Sequence, residues 1–338
     1  MSIHDLMDYV ASNAQGDPSH IIDALGMTYA VMNTHSRPMC SISGGADSDI
    51  VLDMVWRLDP EKKVRYVFFN TGLEYQATKE HLNYLEQQYD IKIERIPAIK
   101  SVPQCCREYG QPFLSKQVST YMAMLQKYQF TWEDLPLSVL LERYPRITSA
   151  IKWWCNKYNV TQWRIDSHSY LKEFLIAHPP TFSISQACCT WAKKKVAKTV
   201  YTSFGHDLDI VGIRKEEGGI RSWSIKSCFS QAVDRDLFCP IFWFSDADKT
   251  EYKNLFDIHN SNCYSVYGLQ RTGCIGCPFN RKLLDELHVM KQYEYGLYKA
   301  ACTVFRDSYA YTALYRNYIV DRRKLSKRLK KEKKASVV

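Results

Sequence analysis

Two groups of residues have the types and spacing that do chemistry. The first is a glycine loop, Ser43-Gly44-Gly45-Ala46-Asp47-Ser48, placed between a short apolar run and a helical pattern. Glycines there let backbone amides approach an anion with no Cβ in the way, and a helix N-terminus adds a favourable field. Ser43 and Ser48 add hydroxyl donors, while Asp47 suits a helix cap or a Mg²⁺ held against phosphates. A Walker loop would need Gly-Lys-Ser/Thr after four spacer residues, and none follows. The second group is cysteine. Cys188-Cys189 is followed far downstream by Cys274-Ile275-Gly276-Cys277, and a Cys-x-x-Cys knuckle with a distant pair can complete a four-thiolate metal site. Neighbouring side chains diverge, which suits the spaced corners of a [4Fe–4S] cluster better than tetrahedral zinc. Zinc and plain buried thiols remain alternatives, Cys105-Cys106 is a rival pair, and Cys263 is a further candidate ligand. Lys193, Lys194 and Lys195 would offset the charge of a thiolate cluster.

The elements that must position these residues follow from apolar periodicity. Residues 5–34 are helically spaced, and Met39 to Ile42 reads as a strand. Ile50, Val51, Met54, Val55 and Leu58 mark the helix after the loop. Val64 to Phe69 is a second strand, Thr78 to Tyr89 a second helix and Ile91 to Ile96 a third strand. Leu208 to Ile213 is another strand, and Ser245 to Ile258 a helix capped by Ser245 or Asp246. This alternation predicts an α/β fold, a doubly wound parallel sheet whose ligands bind beyond the carboxyl ends of the strands. Residues 101–186, rich in aromatics and helix formers, read as a helical insertion walling one side of the site. Three regions are expected: an N-terminal helical segment at 1–35, a nucleotide domain at 36–285 containing that insertion, and a helical C-terminal segment at 286–338.

Composition narrows the function class. The 338 residues are 46% apolar and 24% charged, enough for a sizeable core and against global disorder. No run of 18 apolar residues or secretory leader is visible, so a cytoplasmic location without membrane partners is expected. Twelve cysteines in that compartment point to metal or redox chemistry more than to disulfides. The formal charge of +9 is concentrated in Asp321 to Lys334, DRRKLSKRLKKEKK. That basic tail suits nucleic acid, DNA or tRNA; the alternative is a solvated terminus, since it holds no aromatics to stack on bases.

The loop, Ser-Gly-Gly-x-Asp-Ser directly after a strand, resembles the PP-loop of ATP pyrophosphatases and phosphoadenosine phosphosulfate (PAPS) reductases. Phe68-Phe69-Asn70-Thr71-Gly72-Leu73-Glu74 is similar to the strand-end segment of that family, where Asn70, Thr71 and Gly72 would meet the nucleotide. Gly212-Ile213-Arg214-Lys215-Glu216-Glu217-Gly218-Gly219-Ile220-Arg221 is similar to its Gly-x-Arg-x-x-Glu-Ser-x-x-Arg element, with Gly218 in place of serine. Arg214 and Arg221 there would hold anionic oxygens in fork geometry. Gly110-Gln111-Pro112-Phe113-Leu114-Ser115-Lys116 is a weaker match that would bring Lys116 to a phosphate. The paired cysteines resemble those of cluster-bearing adenylyl-sulfate reductases, implying Cys188, Cys189, Cys274 and Cys277 as ligands. The resemblance implies the adenine-nucleotide α-hydrolase-like fold and covers roughly residues 36–100 and 185–285.

Reductases of this family use a cysteine near the C-terminus in a Glu-Cys-Gly-x-His-type motif. Here the last cysteine is Cys302, followed by neither glycine nor histidine. The departure favours the sulfur-transfer branch: proteins of DNA phosphorothioation systems, cluster-bearing tRNA thiolases, and phage and bacterial PAPS-reductase-like proteins. The expected activity is ATP-dependent adenylation of a substrate, with nucleic acid as acceptor and a cysteine desulfurase or other sulfur donor as partner. Asp47, Arg214, Arg221 and Lys116 would act on the phosphates, and Ser43, Gly44, Gly45, Ser48 and Gly212 would shape the cradle. The alternatives are sulfonucleotide reduction and a non-catalytic nucleotide-binding regulator.

Overall fold

The computed structural model describes residues 2–217, 225–270 and 272–335, with side chains as far as residue 328. The chain divides into two compact units, residues 1–99 with 192–275 and residues 100–191 with 276–338. It is a mixed α/β protein whose central sheet is mostly parallel.

The first unit carries the sheet. Its helices α1 (Ile3–Asn13) and α2 (Ser19–Asn33) precede β1 (Pro38–Ile42), α3 (Ala46–Arg57), β2 (Arg65–Asn70), α4 (Gln76–Tyr89) and β3 (Ile93–Pro97). After the helix Lys195–Phe204 come β4 (Leu208–Val211), β5 (Phe229–Ser230) and β6 (Asp236–Phe238). The sheet order is β3-β2-β1-β4-β6-β5, and every pairing is parallel except β5 with β6. The expected run of strands and helices is therefore present. β4 ends two residues earlier than the apolar pattern suggested, and β5 and β6 were not expected.

The order places a switch point at β1. The chain leaves β1 toward β2 on one side and returns to β4 on the other, so the loops after β1 and β4 open the crevice where such sheets bind ligands. The core beneath is aliphatic: Ile42, Ile50, Val51, Leu52, Met54, Leu208 and Ile210 are buried together. Fully buried on both faces, these strands read as apolar runs rather than alternation.

The second unit is helical. It contains α5 (Val102–Tyr109), the helices Lys116–Lys127, Thr148–Trp154 and Leu171–Ala177, and the three C-terminal helices Leu283–Tyr293, Tyr295–Val304 and Arg306–Ala335. Its core is aromatic, with Trp153 and Trp154 fully buried. Tyr311 packs on Phe113 and Phe174 with ring centroids 4.9 and 5.0 Å apart, and Tyr315 lies 5.1 Å from Phe174. The insertion and the C-terminal segment, apart in the sequence reading, thus share one core. Among the described residues no helix is long and apolar enough to cross a membrane.

Candidate functional site

The loop after β1 turns sharply because Gly44 sits at φ +67°, where a Cβ would also stand 2.9 Å from Thr78 Cγ2. Ser48, on the first turn of α3, closes the loop from inside. Its Oγ accepts from Ser43 N at 3.2 Å and from Gly45 N at 3.3 Å, and donates to Gly45 O at 2.9 Å. Ser48 therefore shapes the turn, and its hydroxyl is directed into the loop itself. Ser43 is exposed, whereas Gly44, Gly45 and Ala46 are covered. The Tyr264 hydroxyl stands beside the loop and lies 3.2 Å from Thr272 Oγ1. Both oxygens crowd Gly45, where a Cβ would meet them at 3.0 and 3.3 Å.

Gly212 follows β4 and touches the loop from the other side of the switch point. A Cβ there would lie 3.0 Å from Asp47 C, Asp47 O and Ser48 N, so only glycine lets the two strand ends meet. Arg214 is buried. Its Nε lies 3.3 Å from Asp47 Oδ1, its Nη2 donates to Asp246 at 2.8 Å, and its Nη1 faces Glu216 at 3.3 Å. Lys249, from the helix Asp246–Phe256, reaches Asp47 Oδ1 at 2.7 Å. Burial opposes ionisation of Asp47, but Lys249 and Arg214 outweigh it and hold the carboxyl below the ordinary range. Burial likewise works against the Arg214 charge, and Asp47 and Asp246 more than restore it.

Asp47 thus organises two cations, and Glu217 hydrogen-bonds to it as well. Asp47, Glu216, Glu217 and Asp246 together outnumber Lys249 and Arg214, and a divalent cation is what offsets an excess of hard carboxylate oxygens. Among the described residues no three carboxylates stand together as a metal site, so Mg²⁺ would find here the Asp47 and Glu217 carboxylates beside a ligand's own phosphate oxygens. Arg221 lies outside the described residues.

The segment after β2 forms a second rim. Glu74 accepts from Thr71 N at 2.8 Å and Leu73 N at 3.0 Å, and from the Thr71 hydroxyl. Asn70 Oδ1 accepts from Gly72 N at 2.9 Å, with Gly72 exposed at φ +81°. Cys274 lies against this rim: its Sγ donates to Thr71 Oγ1 at 3.7 Å, and Ile275 N pairs with Leu73 O at 3.1 Å. Lys116 belongs to the second unit, exposed as the first residue of a helix capped by Ser115.

Of the expected metal ligands, Cys188, Cys189 and Cys277 belong to the second unit and Cys274 to the first. The neighbouring Cys106 thiol and burial push the Cys188 thiol up. Thiolate sulfur suits an iron–sulfur cluster or zinc. Among the described residues, no three His, Cys, Asp or Glu side chains already stand at metal-coordinating spacing. Cys302 lies in the helix Tyr295–Val304.

Sequence reasoning missed Lys249, Glu74, Tyr264 and Thr272. Lys249 had one usable signal, its place on the first turns of a helix opened by the Ser245 cap. Glu74 closed the quoted strand-end segment without a role assigned to it, and Tyr264 and Thr272 carry no distinctive spacing.

Two cavities of about 170 and 460 Å³ also lie in the first unit, one beside Asp53 and Arg57, the other beside Thr34 and Asp236. Neither is lined by the glycine loop, whose strand-end position and cations make it the better candidate.

Residues 37–131 match the family model for the phosphoadenosine phosphosulfate reductase domain. A crystal structure of PAPS reductase from Candida auris, in complex with phosphate, is similar at 12% identity, covering 80% of this chain and 93% of its own, with a TM-score of 0.41. No curated protein matches the chain.

Proposed function

We propose, from the premise that residues 37–131 belong to the PAPS reductase domain family, that this chain is an ATP pyrophosphatase that adenylates an acceptor for sulfur transfer. The observation that carries the reading is the meeting of Gly212 with the Asp47–Ser48 backbone at the sheet's switch point, with Lys249 and Arg214 gathered on Asp47. An ATP pyrophosphate laid across that point meets a glycine turn, a helix N-terminus and two cations.

In this mechanism an acceptor oxygen attacks the α-phosphorus and pyrophosphate leaves, so the acceptor carries AMP. A sulfur nucleophile then displaces AMP. Adenylation needs positioning and charge stabilisation, with no side-chain nucleophile. Asp47 would anchor Lys249 beside the phosphates, Arg214, buried among Asp47, Glu216 and Asp246, would brace the strand end, and the Thr71–Glu74 rim would position the nucleoside end. Asp47 and Glu217 would hold Mg²⁺, which supplies charge neutralisation on the phosphates. Tyr264, whose hydroxyl crowds Gly45, would move aside for a phosphate oxygen to approach the loop there. A thiolate-bound metal centre would supply sulfur handling or bracing of the fold. Nucleic acid is the proposed acceptor, drawn by the basic residues of the helix Arg306–Ala335, with a cysteine desulfurase or similar sulfur donor as partner.

One observation favours a second reading. The Tyr264 and Thr272 oxygens that crowd Gly45 are what a nucleotide-binding regulator without turnover would also show. The deciding experiment is anaerobic incubation with ATP, with and without DNA or tRNA, followed by mass spectrometry for pyrophosphate and adenylated product. Pyrophosphate release supports the proposal. Tight ATP binding without turnover supports the regulator, and sulfite from PAPS and thioredoxin replaces both with a reductase.

A further inference from the structure

At the carboxyl edge of the sheet one large ring stands out of the core, and the mechanism above does not use it. The chain leaving β6 reads Cys239-Pro240-Ile241-Phe242-Trp243-Phe244. β6 pairs in parallel with β4, and β4 with β1, so this turn emerges on the same edge as the glycine loop and Gly212. Phe242 and Phe244 are buried, at 1% and 2% exposure, whereas Trp243 between them is 50% exposed. Tryptophan carries one of the largest apolar surfaces of any side chain, and a half-exposed indole on a ligand-binding edge marks a contact surface.

The ring is held firmly. Phe242 N donates to Cys239 O and Phe244 N to Ile241 O, both at 3.1 Å, in two overlapping turns. Phe242 O accepts from Lys215 N at 2.8 Å, and Phe244 O from Nη1 of the buried Arg214 at 3.3 Å. The residues on either side of Trp243 are therefore tied to the chain just beyond Gly212. Phe242 meets the indole edge-on, with ring centroids 4.9 Å apart at 77°. The Lys215 ammonium stands over the indole, 4.5 Å from its centroid, an attraction of cation to ring face. Glu216 and Asp246 direct their carboxylates to Arg214, and the exposed Lys215 makes no ion pair among the described residues.

We propose that Trp243 and Lys215 form a subsite for one nucleotide of the acceptor, the indole stacking on an unpaired base and the ammonium meeting the adjoining phosphate. This subsite presupposes the nucleic-acid acceptor of the proposed function and gives it a docking point. Its place in the sheet sets it apart from the ATP nucleoside: β6 lies beyond β4, on the opposite side of β1 from β2, whose end carries the Thr71–Glu74 rim. The basic stretch Asp321 to Lys334 holds no aromatic residue, so stacking on bases has to come from elsewhere in the chain. An indole stacks only on a base whose face is open, which selects a single strand or a tRNA loop over a paired duplex.

The test uses the full chain as wild type, Trp243→Ala, Trp243→Phe and Lys215→Ala, with circular dichroism to check folding. Fluorescence anisotropy over a series of salt concentrations gives the affinity for labelled tRNA, for a single-stranded DNA of about 12 nucleotides and for the same DNA as a duplex, and calorimetry gives the affinity for ATP. Trp243→Ala is expected to weaken single-strand or tRNA binding about tenfold, the effect of losing one stacked base, and Trp243→Phe to recover most of it. Duplex affinity should not follow, and ATP affinity should stay within about twofold of wild type. The arm that responds, DNA or tRNA, identifies the acceptor's source. Lys215→Ala should lower the slope of log affinity against log salt by about 0.7, one phosphate contact on a single strand. Weaker ATP binding in Trp243→Ala with nucleic-acid binding intact gives the ring to adenine and overturns the assignment, as does a Trp243→Ala protein that binds every probe like wild type. A wild-type protein that binds neither single-stranded DNA nor tRNA at low salt overturns the nucleic-acid acceptor itself, and the subsite with it.

Discussion

Gly212→Ala tests the switch-point geometry. The added methyl would stand 3.0 Å from three backbone atoms, Asp47 C, Asp47 O and Ser48 N. Comfortable carbon contacts begin near 3.5 Å, so the end of β4 and the loop must part by about half an ångström. No flexible side chain is there to yield. Overpacking of this kind costs about 1–3 kcal/mol. Because a shift of about 1 Å in a positioned group costs on the order of a hundredfold in rate, half of that gives roughly a tenfold loss of pyrophosphate release. The melting temperature should fall by a few degrees. Gly273→Ala is the control, since nothing lies within 4 Å of its added Cβ. The assay is ATP affinity by calorimetry together with pyrophosphate release by coupled spectrophotometry. If Gly212→Ala binds and turns over ATP like wild type while Gly273→Ala does the same, the loop does not hold the phosphates.

Lys249→Met leaves Asp47 with Arg214 alone and should lower pyrophosphate release at least about tenfold with little change in melting temperature, while Lys249→Arg recovers part of it; equal rates in all three would remove Lys249 from the site. Tyr264→Phe removes the hydroxyl that crowds Gly45, so ATP should bind about 2- to 10-fold more tightly by calorimetry; weaker binding would mean the hydroxyl helps to hold the nucleotide. Asp207 is expected to shape the acid limb of stability. Burial opposes its charge, yet the amides of Ser36 and Arg37 hold its carboxyl below the ordinary range. The stabilisation is present above the unfolded value of 3.8 and is lost as pH falls through the lower folded value. Chemical denaturation between pH 2 and 6 should therefore show a flatter acid slope in Asp207→Asn, and an unchanged slope would refute this.

The sheet was legible because buried parallel strands announce themselves as apolar runs, as in Val64 to Phe69, and because Ser245 and its acidic partner Asp248 mark a helix start. β5 and β6, of two and three residues, are too short to leave a pattern. The glycine loop was legible as a motif, but its covering by Tyr264 and Thr272 was not, since those residues lie more than two hundred positions away and resemble any polar aromatic stretch. Arg214 was found in sequence as an anion fork, whereas the fold surrounds it with Asp47, Glu216 and Asp246. Cys106 was visible only as half of a rival pair. The packing of its helix on the Cys188 turn accompanies the Gln111–Ile184 pairing, which no local periodicity encodes.

The discontinuous aromatic core carries a consequence for biogenesis. Phe113 and Phe174 leave the ribosome more than a hundred residues before Tyr311 and Tyr315, the rings that cover them. At ordinary elongation rates of about 5–20 residues per second, these apolar surfaces stand unprotected for many seconds while the sheet-bearing half is being made. A nascent-chain holdase has its reason to engage in that interval.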